Sequence, residues 1–303
     1  MTPTAGTPTS GTQTAGTRAA GTSTSGTPAD ADRAAPERPA PDQRRQRRAW
    51  IVAAVLSAVL VVAPAAWQAW SYGIAQSGTL QGGSGSRPVT ALEIVAGNAD
   101  VTVTPRADQE VGYRAETSWS LKAPSIEESW LGDTLRLTPH CPGEGWPGAG
   151  TGCSVRLGVT VPAGIPVKVT AGSGRVSLSG LGGTVDAEIG SGRADVTGLR
   201  GALRVKVGSG ALHATDLTSP EVDLRVGSGR ADVAFVTPPD RVAGRVGSGR
   251  LDLTVPAAAR FRVGCEAAGG RCEVPDALRD PGSPRTLDLR ADVGRAEAGY
   301  PGT

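Results

Sequence analysis

Aromatic rings and histidines are scarce in this 303-residue chain, which has two Phe, three Tyr, one Met and two His. So few rings exclude a core built on aromatic packing and leave Val, Leu, Ile and Ala to fill it. With only His140 and His213 present, most histidine-dependent triads and multi-histidine metal sites are excluded as well. A helical bundle is equally unpromising. The chain holds 43 Gly and 23 Pro, and each interior Gly costs a helix about 1 kcal/mol and each Pro about 3. The net charge of +2 is unevenly spread: residues 1–48 hold seven Arg against four acids, leaving 24 basic residues against 25 acids elsewhere. A near-neutral remainder does not fit a nucleic-acid binder. What is present suits thin β layers in an envelope protein better than an enzyme.

The N-terminal region divides into three segments. Gly-Thr recurs every five residues from Gly6 to Thr27, in a stretch with almost no apolar surface to offset the entropy of ordering it. Residues 1–48 are therefore expected to be a disordered cytoplasmic tail. Residues 49–71 form an apolar run interrupted by Ser57, Pro64 and Gln68, with Trp50 at one end and Trp67, Trp70 and Tyr72 at the other. At 1.5 Å per residue, about 20 residues cross a bilayer core of about 30 Å. Arg44, Arg45, Arg47 and Arg48 precede the run and no basic residue follows until Arg87, so the positive-inside rule puts the tail in the cytoplasm and the C-terminal part outside. A cleaved signal peptide is the rival reading, because twin arginines precede the run. Its end at Trp67-Gln68-Ala69-Trp70 lacks a good small-residue cleavage site, which favours a retained single-pass anchor. Residues 72–87, rich in Gly and Ser, read as a linker.

The strongest signal is a repeat. Gly-Ser-Gly occurs at 172–174, 190–192, 208–210, 227–229 and 247–249, at spacings of 18, 18, 19 and 20 residues. Runs such as Val185, Ala187, Ile189 precede the triplets and runs such as Leu251, Leu253, Val255 follow them. Period-two alternation of this kind means half-buried strands, and the triplets mark turns. Stacking each repeat on the next sets Lys168 against Asp186, Asp186 against Arg204, Glu188 against Lys206 and Arg204 against Asp223, opposite-charge neighbours worth roughly 0.2–1 kcal/mol each. It also sets Lys206 against Arg225, where the complementarity fades. The same stacking produces an arginine column of Arg175, Arg193, Arg230 and Arg250, interrupted by Ala211, beside an acidic column of Asp195, Asp232 and Asp252. The expected fold is all-β: a β-solenoid of strand–turn–strand rungs over residues 88–300. A meander or β-sandwich with Gly-Ser-Gly hairpins is the alternative. Degenerate copies of the phrase at residues 92–101 and 287–298 suggest that the second is a closing rung, with insertions around 105–160 and 256–285.

Gly-Ser-Gly-Arg-x-Asp-Val rungs behind a single anchor resemble the bacterial "putative-adhesin" or toast-rack domains of cell-envelope proteins. The resemblance covers roughly residues 88–300 and rests on turn and strand residues. It implies an envelope-located β domain, and it transfers no catalytic residue and no cofactor.

The four cysteines form two local pairs, twelve and seven residues apart. Outside the cell they read as disulfides Cys141–Cys153 and Cys265–Cys272 in loops, contributing about 2–3 kcal/mol each. A metal site on His140, Cys141 and Cys153 lacks a usual zinc spacing. The Gly-Ser-Gly triplets lack the Gly-Lys-Ser/Thr of a phosphate loop and no helix follows them. His213, Asp186 and Glu188 are expected on solvated strand faces, with no acid–base role.

Three functions compete on this basis. The leading expectation is a non-enzymatic, membrane-anchored surface protein that binds a cell-wall polymer or other envelope component through the arginine column, with no metal and no nucleic acid. The second is an envelope-stress sensor that signals through protein partners of its tail. The third, an enzyme acting on polysaccharide, lacks a convincing pair of carboxylates.

Overall fold

Alternation of Val, Leu and Ala with polar residues gives strands of about five residues. Each is too short to bury its apolar face alone, so the rungs stack. The computed structural model describes residues 43–73, 76–120, 122–142 and 152–302. The chain divides into two units, residues 1–58 and 59–303. Most of the expected disordered tail, residues 1–42, lies outside the described residues.

Helix α1 (Gln43–Gly73) starts within the segment expected to be tail. Gln43 to Arg48 are good helix formers that run directly into the apolar stretch. In the first unit the described apolar side chains, Trp50, Ile51, Val52, Val55 and Leu56, are all exposed, and Val59 to Val62 in the second unit are exposed too. Among the described residues, no helix is long and apolar enough to cross a membrane.

Strands β1 (Gln76–Gly83), β2 (Ala91–Gly97), β3 (Asp100–Arg106), β4 (Gly112–Trp119), β5 (Ser125–Leu131), β6 (Thr134–His140) and β7 (Ser154–Pro162) build one end of the second unit. The centre consists of β8 (Val167–Ala171), β9 (Arg175–Ser179), β10 (Val185–Ile189), β11 (Arg193–Thr197), β12 (Leu203–Val207), β13 (Ala211–Leu217), β14 (Glu221–Val226), β15 (Arg230–Phe235), β16 (Arg241–Val246) and β17 (Arg250–Thr254). The other end holds β18 (Arg262–Ala267), β19 (Arg271–Glu273), β20 (Thr286–Ala291) and β21 (Arg295–Gly299). One sheet runs β1-β4-β7-β3-β9-β11-β13-β15-β17-β21-β19, the other β18-β20-β16-β14-β12-β10-β8-β2-β6-β5.

From β8 to β17 every pairing is parallel, and each Gly-Ser-Gly carries the chain from one sheet to the other. The meander is thereby excluded. The register is the one the charge pattern expects, with Lys168 opposite Asp186, Asp186 opposite Arg204, Glu188 opposite Lys206 and Arg204 opposite Asp223. Pairing continues round the corner. Ser191 N–H donates to Gly172 O at 2.7 Å and Arg193 N–H to Gly174 O at 3.2 Å, and each later triplet repeats these bonds.

The core is a set of stacked columns. Val176, Ala194, Leu212, Ala231, Leu251 and Ala296 alternate large and small along one sheet, all at most 1% exposed. In the facing sheet Gly244 makes room in the same way, since a Cβ there would lie 2.6 Å from Leu251 Cδ2 and 2.8 Å from Leu289 Cδ2. Interdigitation of this kind lets aliphatic side chains fill the interior without rings.

Three expectations are corrected at the ends. The stretch taken as linker contains β1, paired antiparallel with β4 from Gln76↔Trp119 to Gly83↔Gly112. Its glycines are not there for flexibility: a Cβ on Gly78 would lie 2.9 Å from the Trp119 ring, and one on Gly82 would overlap the Tyr113 hydroxyl. Rings lying over strand glycines cover edge backbone at the positions that have no side chain of their own. The same Tyr113 donates to Glu128 on β5 of the other sheet. Burial first, then this bond and the Glu128 charge, push the Tyr113 hydroxyl above the usual tyrosine range.

The segment around 105–160 is the second case, because it extends both sheets beyond β2 and β3 through β4 to β7. Third, β20 and β21 do not close the stack. They pair with β16 and β17 on one side and with β18 and β19 on the other, so the earlier segment is the outermost rung.

Both disulfides are present. Cys141 follows β6 and Cys153 precedes β7, whereas Cys265 and Cys272 lie on strands β18 and β19 rather than in a loop. Each therefore staples the sheet-to-sheet corner of the last parallel rung at its end of the stack.

Candidate site along the corner seam

Each Gly-Ser-Gly corner projects its serine to solvent, while the next residue begins a strand of the eleven-stranded sheet. Stacking turns these positions into two parallel lines. Ser173, Ser191, Ser209, Ser228 and Ser248 form a seam, and Arg175, Arg193, Ala211, Arg230 and Arg250 form the column beside it. Together they line an open groove of about 800 Å³ that begins at Asp100. The four arginines named from the sequence are thus brought together, with the Ala211 interruption in its expected place.

The acidic column lies two residues further along each strand, as Asp195, Asp232 and Asp252 on their rungs, with His213 interrupting it. It neutralises part of the arginine column. Arg175 Nε is 3.7 Å from Asp195 Oδ2, and Arg250 Nε is 2.7 Å from Asp252 Oδ2. Arg250 also reaches Glu297 at 3.5 Å. Its bond to Asp252 and that carboxylate's charge raise the Arg250 pKa, so it stays cationic at any physiological pH. Asp100 accepts the backbone N–H of Arg175 at 2.9 Å.

Asp232 behaves differently. Burial and the carboxylate of Asp252 on the next rung push its pKa above the usual range, against the weaker pull of Arg230 and His213. A carboxyl whose pKa is raised on folding is a liability when ionised, and the liability disappears as pH falls through the raised value. Asp232→Asn is therefore expected to raise the melting temperature at pH 7. The gain should shrink towards zero on acidification, as a pH series of thermal melts will show.

The sequence reading missed two features. The arginine column continues through Arg295 and Arg271 on the outer rungs. Gly294-Arg295-Ala296-Glu297 carried the signal, since it repeats the phrase after the triplets. A second basic column, Lys206, Arg225, Arg245 and Arg290, flanks the seam on the other sheet. Each of its members has a carboxylate partner: Glu188 at 2.7 Å, Asp223 at 3.5 Å, Asp292 at 3.6 Å and Glu266 at 3.2 Å. His213 is exposed on its rung. Among the described residues, no group of three or more His, Cys, Asp or Glu is placed to hold a metal ion.

Neither a protein-family model nor a curated protein matches the chain. Solved structures do. Those similar to it include bacterial proteins named as adhesins, the family that the repeated phrase resembles. A putative cell adhesion protein from Clostridium sporogenes shares 14% identity at a TM-score of 0.34, over 74% of this chain and 98% of its own. A putative adhesin from Bacteroides fragilis shares 13% at a TM-score of 0.41, over 74% and 97%. A putative lipid binding protein from Parabacteroides distasonis shares 13% at 0.43, over 75% and 97%.

Proposed function

We propose that the protein is a non-enzymatic, single-pass cell-membrane protein whose extracellular β domain binds an anionic cell-wall polymer or another anionic envelope component along the corner seam. The carrying observation is the groove itself, in which arginines and serine hydroxyls repeat from rung to rung beside one another. Such a site offers a linear ligand the same contact several times over, so modest single contacts combine. The anchoring part of the reading is supported by the apolar run of residues 49–71 and by the exposure of the apolar side chains from Trp50 to Val62, which water does not favour. The arginines before that run orient the N-terminus to the cytoplasm.

Full-length protein in detergent should be retained on isolated cell-wall fractions at low salt and released at high salt, because exposed charge–charge attraction is screened over about 8–10 Å at physiological ionic strength. Replacing Arg175, Arg193, Arg230 and Arg250 together by Gln should abolish most of that retention. Retention that ignores both salt and the four substitutions would sink the reading.

A further inference from the structure

The groove arginines are chemically unequal. Arg175 and Arg250 are engaged by Asp195 and by Asp252 with Glu297, whereas among the described residues Arg193 and Arg230 have no carboxylate within ion-pair distance. Both are exposed. They sit two rungs apart, about 10 Å at the spacing of paired strands, and the rung between them presents Ala211 where its neighbours present arginine. The exposed hydroxyl of Ser209 belongs to the same middle rung.

We propose that Arg193 and Arg230 form a two-point anion clamp, and that its ligand is a linear acidic glycan charged once per disaccharide rather than once per sugar. The proposal rests on the reading of the groove as a polyanion site and makes it specific. A guanidinium already paired with a carboxylate must give up that partner to take another anion, whereas one with no carboxylate at ion-pair distance gives up mainly water. The bidentate fork of arginine suits carboxylate, sulfate and phosphate groups alike. On the middle rung the small Ala211 leaves space for an uncharged sugar, whose hydroxyls meet Ser209. A polymer charged on every unit would place an anion there with no cation to meet it. The basic column on the other side of the seam does not compensate, because every member of it is already paired.

The test uses the full chain in detergent micelles at low salt, with two probes: hyaluronate fragments, carrying one carboxylate per disaccharide, and polygalacturonate fragments, carrying one per sugar. Arg193→Gln with Arg230→Gln should weaken hyaluronate binding at least about tenfold, the loss expected of one or two charge-assisted contacts. Arg175→Gln with Asp195→Asn removes a groove arginine that is already paired, at constant net charge, and should weaken binding by less than the clamp variant does. Arg204→Gln with Arg241→Gln removes the same charge as the clamp variant from the other sheet and should stay within about twofold. Ala211→Arg should tighten polygalacturonate and leave hyaluronate unimproved. The clamp is overturned if either control pair weakens binding as much as the Arg193/Arg230 pair does. Failure of the wild-type protein to bind either probe overturns the ligand class, while the cell-wall retention assay decides separately whether the groove binds polyanions at all.

Discussion

Phe261→Ala should destabilise the β domain by about 3–5 kcal/mol, the usual cost of emptying a buried phenylalanine site. Phe261 is one of two phenylalanines in the chain and is fully buried. It lies immediately before β18, where Leu278 and Val274 are also buried. Its backbone is held on both sides, with Phe261 N–H donating to Leu278 O and Asp280 N–H donating to Phe261 O, each at 2.8 Å. With the backbone fixed in this way, neighbouring side chains cannot collapse into the space that the ring vacates. Phe261→Leu keeps most of the volume and should cost less than about 1.5 kcal/mol. Chemical denaturation of the two variants checks the difference. Hydrogen exchange should show the loss concentrated in the amides of β18 and β20. An alanine variant within about 0.5 kcal/mol of wild type, on the scale of an ordinary surface change, would mean that the ring is not part of the core.

Gly210→Ala should cost about 2–4 kcal/mol, a large effect for one methyl group and one that arises from overpacking. From the second triplet on, the glycine that closes each triplet faces the triplet below. A Cβ on Gly210 would overlap Gly192 O and lie 3.1 Å from Ser191 C, both of them backbone atoms held in the corner ladder. Its φ is not in the left-handed region, so the penalty comes from closeness of approach and not from an inaccessible conformation. Gly164→Ala is the control: a Cβ there meets nothing within 4 Å, and the loss of unfolded-chain freedom should stabilise it by about 0.4–1 kcal/mol. Equal melting behaviour of the two variants would refute the close-approach account.

The two cases mark where the sequence is readable. The triplets repeat at almost constant spacing, so stacking, register and the arginine column follow from arithmetic on residue numbers, and the opposite-charge neighbours lend independent support. Cys141–Cys153 and Cys265–Cys272 were legible because each pair is close in the chain. What was hidden depends on spatial order differing from chain order. Nothing in residues 262–273 says that they lie outside residues 286–299, because the corner there carries Gly269-Gly270 and a cystine in place of Gly-Ser-Gly. The strand at residues 76–83 was hidden for a related reason. Its Gly and Ser content reads as linker until the rings of Tyr113 and Trp119 are seen to cover it, and those rings come from β4, a strand about thirty to forty residues further along the chain. In the site, the arginine column and the acidic column beside it were both legible, but which arginines are engaged was not. Arg250 meets Asp252 on its own strand and Glu297 from a rung 47 residues on, a contact that no local pattern announces.

The placement of the two cystines governs how the stack comes apart. In a linear array each unit is held by its neighbours, so the outermost ones, with a neighbour on one side only, are where melting starts and from which it spreads inward. Tying the corner of the last parallel rung at either end slows that first step. The array then has no easy end from which to unravel, and a protease must await the rarer opening of the middle. In the extracellular setting proposed above, where no chaperone refolds a protein, resistance of this kind sets working lifetime more directly than equilibrium stability does.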